Sequence, residues 1–251
     1  RNYHATLVNT LTFYNAQAAG YDVFFSEVSN PVSPPHMKIT DDTTEDELME
    51  IAETLYRDHD ETFKESLETS NVFLGEFLKS PEQNGVSKDP KDIADYIKEH
   101  RPLLDKAKTE SIELVEEHNT FSYKKNTRWD YDLEKTVEAV APIKKLGEAA
   151  RGTGFEQIIP DNITGTVYEY PMFLEYDNQV HPALGLLIVS KILGIDFNET
   201  QVTDSHFIFT TTKPFGEFQP GTFSVPINKK MRMMMNWSGP YFETFFHINF
   251  K

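Results

Sequence analysis

Apolar side chains recur at helical spacing through the first part of the chain. The first series is Leu7, Val8, Leu11, Tyr14 and Ala18. Residues three and four positions apart lie on one face of a helix, so this series predicts an N-terminal helix that ends near Gly20. A proline-rich linker with Pro31, Pro34 and Pro35 follows this helix.

A capping pattern marks the start of a second helix. Thr44 and Glu47 are spaced as in a capping box, in which each side chain satisfies a backbone N–H of the other residue. We therefore predict a helix from Thr44 to about Ser70. The next apolar series extends or restarts this helix, and its members are Phe73, Leu74, Phe77 and Leu78.

Three further helices are predicted before Gly152, where the pattern changes. Asp89 and Pro90 begin the first of them, because an acidic N-cap followed by proline is a typical helix start. The second begins at Pro102 and carries Leu104, Ala107, Leu114, Val115 and His118. The third spans 131–141, with Leu133, Val137 and Val140 facing inward, and a last turn holds Ile143, Leu146 and Ala149.

Short β-branched and aromatic segments alternate with turn residues after Gly154. The predicted strands are 155–159, 164–170, 206–211, 222–227 and 245–250. One helix interrupts them, from Pro182 to about Leu193, with Gly194 at its end. Helices followed by strands predict an α+β fold. A mainly helical, acidic region at 1–150 precedes a mainly antiparallel, strand-rich region at 151–251, as two domains or as one integrated domain.

The charge balance narrows the classes of partner. The chain has 40 acidic and 24 basic residues and a formal net charge of -16. This field repels phosphates, which argues against a nonspecific nucleic-acid binder. No cysteine is present, so disulfides and thiolate chemistry are excluded. No apolar run reaches the roughly 18–20 residues that a membrane helix needs.

The sequence starts at Arg1 instead of methionine. This start fits an exported or organelle-imported chain that has lost a leader, and it equally fits a sequence that simply begins there. The compartment therefore stays open between these alternatives.

His59 and Asp60 form the most site-like pair of residues in the sequence. Adjacent histidine and aspartate can ligate one divalent metal ion, and the pair resembles the centre of the metal-dependent HD phosphohydrolases. That resemblance implies a further histidine upstream, for which His36 is available, and an aspartate downstream, either Asp130 or Asp132. The alternative is that His59 lies on the apolar face of a helix and that its acidic neighbours are solvated.

Methionine and aromatic side chains crowd the C-terminal stretch. The candidate interaction or ligand-binding residues are Met233, Met234, Met235, Trp237, Tyr241, Phe242 and Phe245. Part of this stretch can form a core strand, but one strand face cannot bury so many large apolar groups. The remainder predicts a docking surface for a protein partner or a lining for an apolar ligand.

The chain lacks the common catalytic motifs: it contains no GxSxG elbow, Walker loop, GxGxxG fingerprint or HExxH motif. We therefore favour a noncatalytic interaction or scaffold subunit of a larger assembly, which docks through the C-terminal stretch. The first alternative is a binding protein for an apolar small molecule. The second is a metal-dependent hydrolase centred on His59 and Asp60. The motifs identify no cofactor.

Overall fold

The computed structural model describes residues 1–28, 44, 58–87, 89–99, 110–117, 120–123, 128–129, 133–158 and 164–235. Within these ranges the chain forms helices and several sheets, which confirms the predicted α+β class. The helices are α1 (Asn2–Phe13), α2 (His59–Glu68), α3 (Pro90–Glu99), α4 (Lys144–Ala149) and α5 (Leu184–Leu193).

The strands fall into two groups along the chain. The first group is β1 (Ala19–Tyr21), β2 (Val72–Lys79), β3 (Ile112–Glu117), β4 (Thr120–Tyr123), β5 (Arg128–Trp129), β6 (Lys135–Thr136) and β7 (Glu138–Val140). The second group is β8 (Thr153–Phe155), β9 (Glu169–Pro171), β10 (Phe173–Tyr176), β11 (Gln179–Pro182), β12 (Gln201–Val202), β13 (His206–Thr211), β14 (Gly221–Pro226) and β15 (Arg232–Met234).

Strand β2 is the middle strand of a short parallel sheet. Leu74 pairs with Tyr21 of β1 and also with Thr153 of β8, so the two parallel neighbours lie on opposite edges of β2. Strand β7 pairs antiparallel with the last residues of β2. The carboxyl ends of β1 and β8 lie beside the middle of β2, which continues to Lys79.

Helices cover both faces of this parallel sheet. Val72 and Leu74 pack with Phe63 of α2 and Leu146 of α4 on one face, in a cluster that α1 joins through Val8. The opposite face carries Phe73, which packs against Leu184 and Leu187 of α5. Alternation of side chains along β2 separates these two clusters.

The remaining strands form mainly antiparallel sheets. One sheet has the order β5-β4-β3-β11-β10-β6, a second has the order β12-β13-β14, and β9 pairs with β15. Phe173 and Phe207 pack with Met231 in a core between these sheets. The predicted regions 1–150 and 151–251 share strand pairs, because β2 pairs with β8 and β3 pairs with β11.

Several predictions for helices after Ser70 were correct. The helix at Asp89-Pro90 is α3, the turn before Gly152 is α4, and the helix that ends at Gly194 is α5. Gly194 has a φ of 68°, the left-handed conformation that favours glycine at a helix C-terminus.

Other predicted helices were wrong. Phe73, Leu74, Phe77 and Leu78 lie in strand β2, and Leu114 and Val115 lie in strand β3. Leu133 precedes β6, and the described part of the predicted helix 131–141 forms β6 and β7. A strand that is buried on both faces has a continuous apolar run, which by its pattern alone resembles a buried helix.

Two helix boundaries also differ from the prediction. The N-terminal helix ends at Phe13, and Gly20 lies in β1. The helix predicted from Thr44 to Ser70 is interrupted at Asp58, which has an extended backbone and caps α2. The proline-rich linker and residues 45–57 lie outside the described residues.

The strand predictions are confirmed at β13 and, within one residue, at β14. Of the described residues in the predicted strand 155–159, only Phe155 lies in an observed strand, β8. Of the predicted strand 164–170, only Glu169 and Tyr170 do, in β9. The hairpin of β10 and β11 was missed, although its turn residues Asp177 and Asn178 both have positive φ. Segment 245–250 lies outside the described residues.

Candidate functional site

Asp22, Gly75 and Glu156 form a row across β2 at the level where β1 and β8 end. Asp22 directly follows β1 and Glu156 directly follows β8, while Gly75 lies in β2 between them. Tyr21 aligns with Leu74, so the next residue, Asp22, reaches the level of Gly75. All three row residues occupy the sheet face that α5 covers, because side chains alternate along each strand. We call Asp22, Gly75 and Glu156 the carboxyl row.

Gly75 makes the carboxyl row possible. A Cβ atom at this position would overlap the carboxyl group of Glu156. The glycine therefore leaves the space in which Glu156 crosses the middle strand towards Asp22.

The environment keeps a proton on Glu156. Burial is the main cause that raises the pKa of Glu156 to about 9, and hydrogen bonding with Asp22 and the charges of Asp22 and Glu76 act in the same direction. Both carboxyl oxygens of Glu156 are shielded from solvent, whereas Asp22 is exposed. At neutral pH the Glu156 carboxyl group is therefore protonated and neutral.

Aromatic side chains border the carboxyl row. Phe77 lies two residues beyond Gly75 on the same face, and its ring meets that of Phe24 edge-to-face, with the centroids 5.8 Å apart. Phe24 is 43% exposed, so this apolar rim faces solvent. The rim can contact the apolar or cationic part of a ligand.

Tyr170 connects the row to α5. Burial raises the pKa of Tyr170, a backbone N–H donated by Gly185 opposes the shift, and the charge of Glu156 adds to it. The N-cap residue Ala183 provides no side-chain hydrogen bond to the first turn of α5. The tyrosine hydroxyl thus satisfies one of the N–H groups that a helix N-terminus leaves unpaired.

A second polar pair lies on the opposite face of β2. Glu76 and His181 have exposed fractions of 0% and 1%. Nδ1 of His181 is 3.4 Å from Oε1 of Glu76. The pair joins β2 to β11 inside the core.

The carboxyl row has the chemistry of a cation site. A positive group between two neighbouring carboxyl groups stabilises the ionised form of both. The described residues contain no group of three or more histidine, cysteine, aspartate or glutamate side chains placed to hold a metal ion.

His59 and Asp60, the predicted metal ligands, lie at the start of α2. Nδ1 of His59 is 2.8 Å from Oδ1 of Asn2, and Oδ1 of Asp60 is 2.9 Å from Nε of Arg1. The structure thus gives both side chains partners on or beside α1. His36, Asp130 and Asp132 lie outside the described residues, and the metal site stays a prediction.

The predicted interaction residues are described only in part. Met233 packs against the core of the antiparallel sheets, Met234 is 71% exposed, and the N–H of Met235 donates to the carbonyl of Tyr168 at 2.8 Å. The others lie outside the described residues: Trp237, Tyr241, Phe242 and Phe245. Docking through this stretch stays a prediction.

Sequence reasoning missed the carboxyl row and the Glu76–His181 pair. The available signal was an acidic residue directly after a short apolar strand, at Asp22 and again at Glu156. The signal becomes readable only when Val72–Lys79 is assigned as a strand, because the row needs the middle strand to align its outer members.

The comparison with protein families finds a match over the full chain. The family model described as CHASE2 domain matches residues 1–251, the whole length of the chain. Neither the comparison with curated proteins nor that with solved structures gives a match. Within the described residues, each helix is too short or too polar to cross a membrane.

Proposed function

The chain belongs to the CHASE2 family of sensory domains, and on this premise we propose that it senses a positively charged ligand that binds at the carboxyl row. The observation that carries the proposal is the meeting of Asp22 and Glu156 over Gly75.

The position of the row supports a ligand site. In open sheets of parallel strands, ligands bind outside the carboxyl ends of the strands, where the loops leave a crevice. Asp22 and Glu156 are the first residues after two such ends. A sensory domain needs a ligand contact that links separate elements, and the row links β1, β2 and β8.

The charge of the row supports a cationic ligand. Glu156 keeps its proton because a second carboxylate in this half-buried place is unfavourable. A cation between the two carboxyl groups removes that repulsion and releases the proton. The exposed ring of Phe24 and the ring of Phe77 offer faces that attract a quaternary ammonium group.

We expect the intact domain to bind tetramethylammonium and butylammonium in isothermal titration calorimetry. Butanol and butanoate are matched neutral and anionic probes, and we expect both to bind at least about tenfold more weakly. The variants Asp22→Asn and Glu156→Gln should each weaken ammonium binding by about tenfold or more. Gly75→Ala should do the same, because its methyl group displaces the Glu156 carboxyl group.

The pH dependence separates this site from nonspecific attraction by an acidic protein. Tetramethylammonium does not titrate, so its affinity should rise with pH until Glu156 ionises, near the pKa of about 9. Glu148→Gln is a matched control, because Glu148 lies on the exposed surface of α4. Equal affinity for butanol and butylammonium, or an unchanged affinity in Glu156→Gln, would exclude the carboxyl row as a cation site.

Docking to a partner protein through the C-terminal stretch is a second candidate function. The exposure of Met234 in β15, at 71%, favours it, because a large apolar side chain on a strand surface can contact a partner protein. A sensory domain can use such a surface in addition to the carboxyl row.

A further inference from the structure

Glu76 and His181 join two different sheets through the core. Glu76 belongs to β2 of the parallel sheet, and His181 belongs to β11 of the six-stranded sheet. Both side chains are almost completely buried, with 3.4 Å between Nδ1 of the imidazole and Oε1 of the carboxylate. This pair is therefore a polar side-chain contact between two sheets that also meet through a backbone bridge, from Phe155 of β8 to Ala183.

The polar atoms of the pair are incompletely satisfied. Among the described residues, neither carboxylate oxygen of Glu76 and neither ring nitrogen of His181 has a hydrogen-bond partner. Such groups are costly to bury, and well-packed apolar residues are usually at least as stable in their place. A buried pair of this kind indicates a role other than stability.

Among the described residues, Glu76 is the carboxylate in ion-pair distance of the imidazole. Tyr176 of β10 presents its ring edge, with centroids 6.0 Å apart. Glu175 alternates to the other face of β10, where Lys135 of β6 pairs with it at 3.5 Å. Glu156 lies across β2 in the carboxyl row and interacts with Glu76.

We propose that Glu76 and His181 form a proton-operated link between the parallel sheet and the six-stranded sheet. With a protonated imidazole the opposite charges attract and hold β2 against β11. When the imidazole loses its proton, the carboxylate of Glu76 is left alone in the core and the contact weakens. The link does not depend on the identity of the ligand at the carboxyl row.

The link also connects the core to the carboxyl row. The charge of Glu76 is one of the causes that raise the pKa of Glu156. A change in the protonation of the pair therefore changes the field at the row. Proton uptake in the core and ligand binding at the carboxyl row are thus coupled through one carboxylate.

The test follows His181 by NMR of the intact domain with isotope-labelled histidine, with the resonance assigned from His181→Gln. The first question is whether the imidazole changes its protonation state between roughly pH 5 and 9. As it loses its proton, the amides of β11 should exchange about tenfold faster, after correction for intrinsic exchange. The amides of β13 provide the internal control and should not change.

The variant Glu76→Gln keeps the shape of the side chain and removes its charge. We expect the exchange of the β11 amides to lose its pH dependence, because the imidazole no longer faces a carboxylate. Glu138→Gln is the matched control, because Glu138 pairs with Lys79 on the same sheet at 2.7 Å and is partly exposed.

The proposal is wrong if the imidazole of His181 keeps one protonation state throughout this pH range, or if protection of β11 does not follow its titration. These two measurements use the native protein, so they decide the matter even if Glu76→Gln does not fold. Failure of ammonium to bind at the carboxyl row would leave both measurements unaffected.

Discussion

Gly75 matters to the carboxyl row because it has no Cβ atom. In a strand interior, glycine weakens the strand and often marks a place where another group comes close. Here the group is the carboxyl of Glu156, which lies over the backbone of β2. A residue with a Cβ would direct Glu156 away from Asp22, so this single position decides whether the two carboxyl groups meet.

Glu156 makes stability depend on pH. The folded state raises its pKa from 4.5 to about 9, so the folded chain retains a proton that the unfolded chain releases between these values. Its contribution to stability is therefore fully present below about pH 4.5 and is lost as the pH rises towards 9.

We expect Glu156→Gln to stabilise the domain at pH 7, because glutamine resembles the neutral acid and does not ionise. The gain should be on the order of 1–2 kcal/mol, with allowance for solvent screening at this half-buried site. Urea unfolding at several pH values measures it, with Glu148→Gln as the surface control. A gain of the same size near pH 4.5 and at pH 7 would contradict the assignment.

Among the elements, α2 depends on a cap that the periodicity did not reveal. Oδ1 of Asp58 accepts the backbone N–H groups of Asp60 and Glu61, and Oδ2 lies 2.6 Å from Nζ of Lys145. The carboxylate thus caps the N-terminus of α2 and links the helix to α4. Both interactions lower the pKa of Asp58, with the Lys145 hydrogen bond as the largest cause.

We expect Asp58→Ala to reduce the free energy of unfolding by about 1–2 kcal/mol, because an N-cap is lost and a surface ion pair with it. Asp58→Asn keeps a capping oxygen and should lose less than half of that amount. Chemical denaturation of the two variants beside the native chain measures both losses. Equal losses for alanine and asparagine would show that the cap itself contributes little.

Elements with strong end signals could be predicted from the sequence, and buried strands could not. The proline at the start of α3 and Gly194 at the end of α5 are local signals, which act through the backbone and do not depend on the rest of the fold. Strand β2 has an almost unbroken buried run because helices cover both of its faces, and this removes the alternation that identifies a strand. The carboxyl row was missed for the same reason, since its geometry needs β2 as the middle strand.

At the scale of the whole molecule, acidic groups outnumber basic ones by 40 to 24. Local ion pairs offset part of this excess, such as Lys145 with Asp58 and Glu61. The remaining charges repel one another more strongly in the compact state than in the expanded unfolded chain. Salt screens this repulsion over about 8 Å at physiological ionic strength.

We expect thermal stability to rise when NaCl increases from about 10 to 150 mM, with a midpoint shift of a few degrees. Differential scanning calorimetry measures the shift. KCl at equal ionic strength should give the same result, because screening does not depend on the identity of the cation. A midpoint that stays constant or falls would show that the acidic excess is already balanced by local pairing.

Asp22 and Glu156 approach each other across β2 from the ends of the two outer strands, β1 and β8. A protonated Glu156 carries no charge, and loss of its proton places a negative charge beside Asp22. The resulting electrostatic repulsion acts on β1 and β8 in the plane of the sheet, in the direction of their hydrogen bonds with β2. Because α1 precedes β1 and α5 packs on β8, such a force reaches one helix on each side of the sheet.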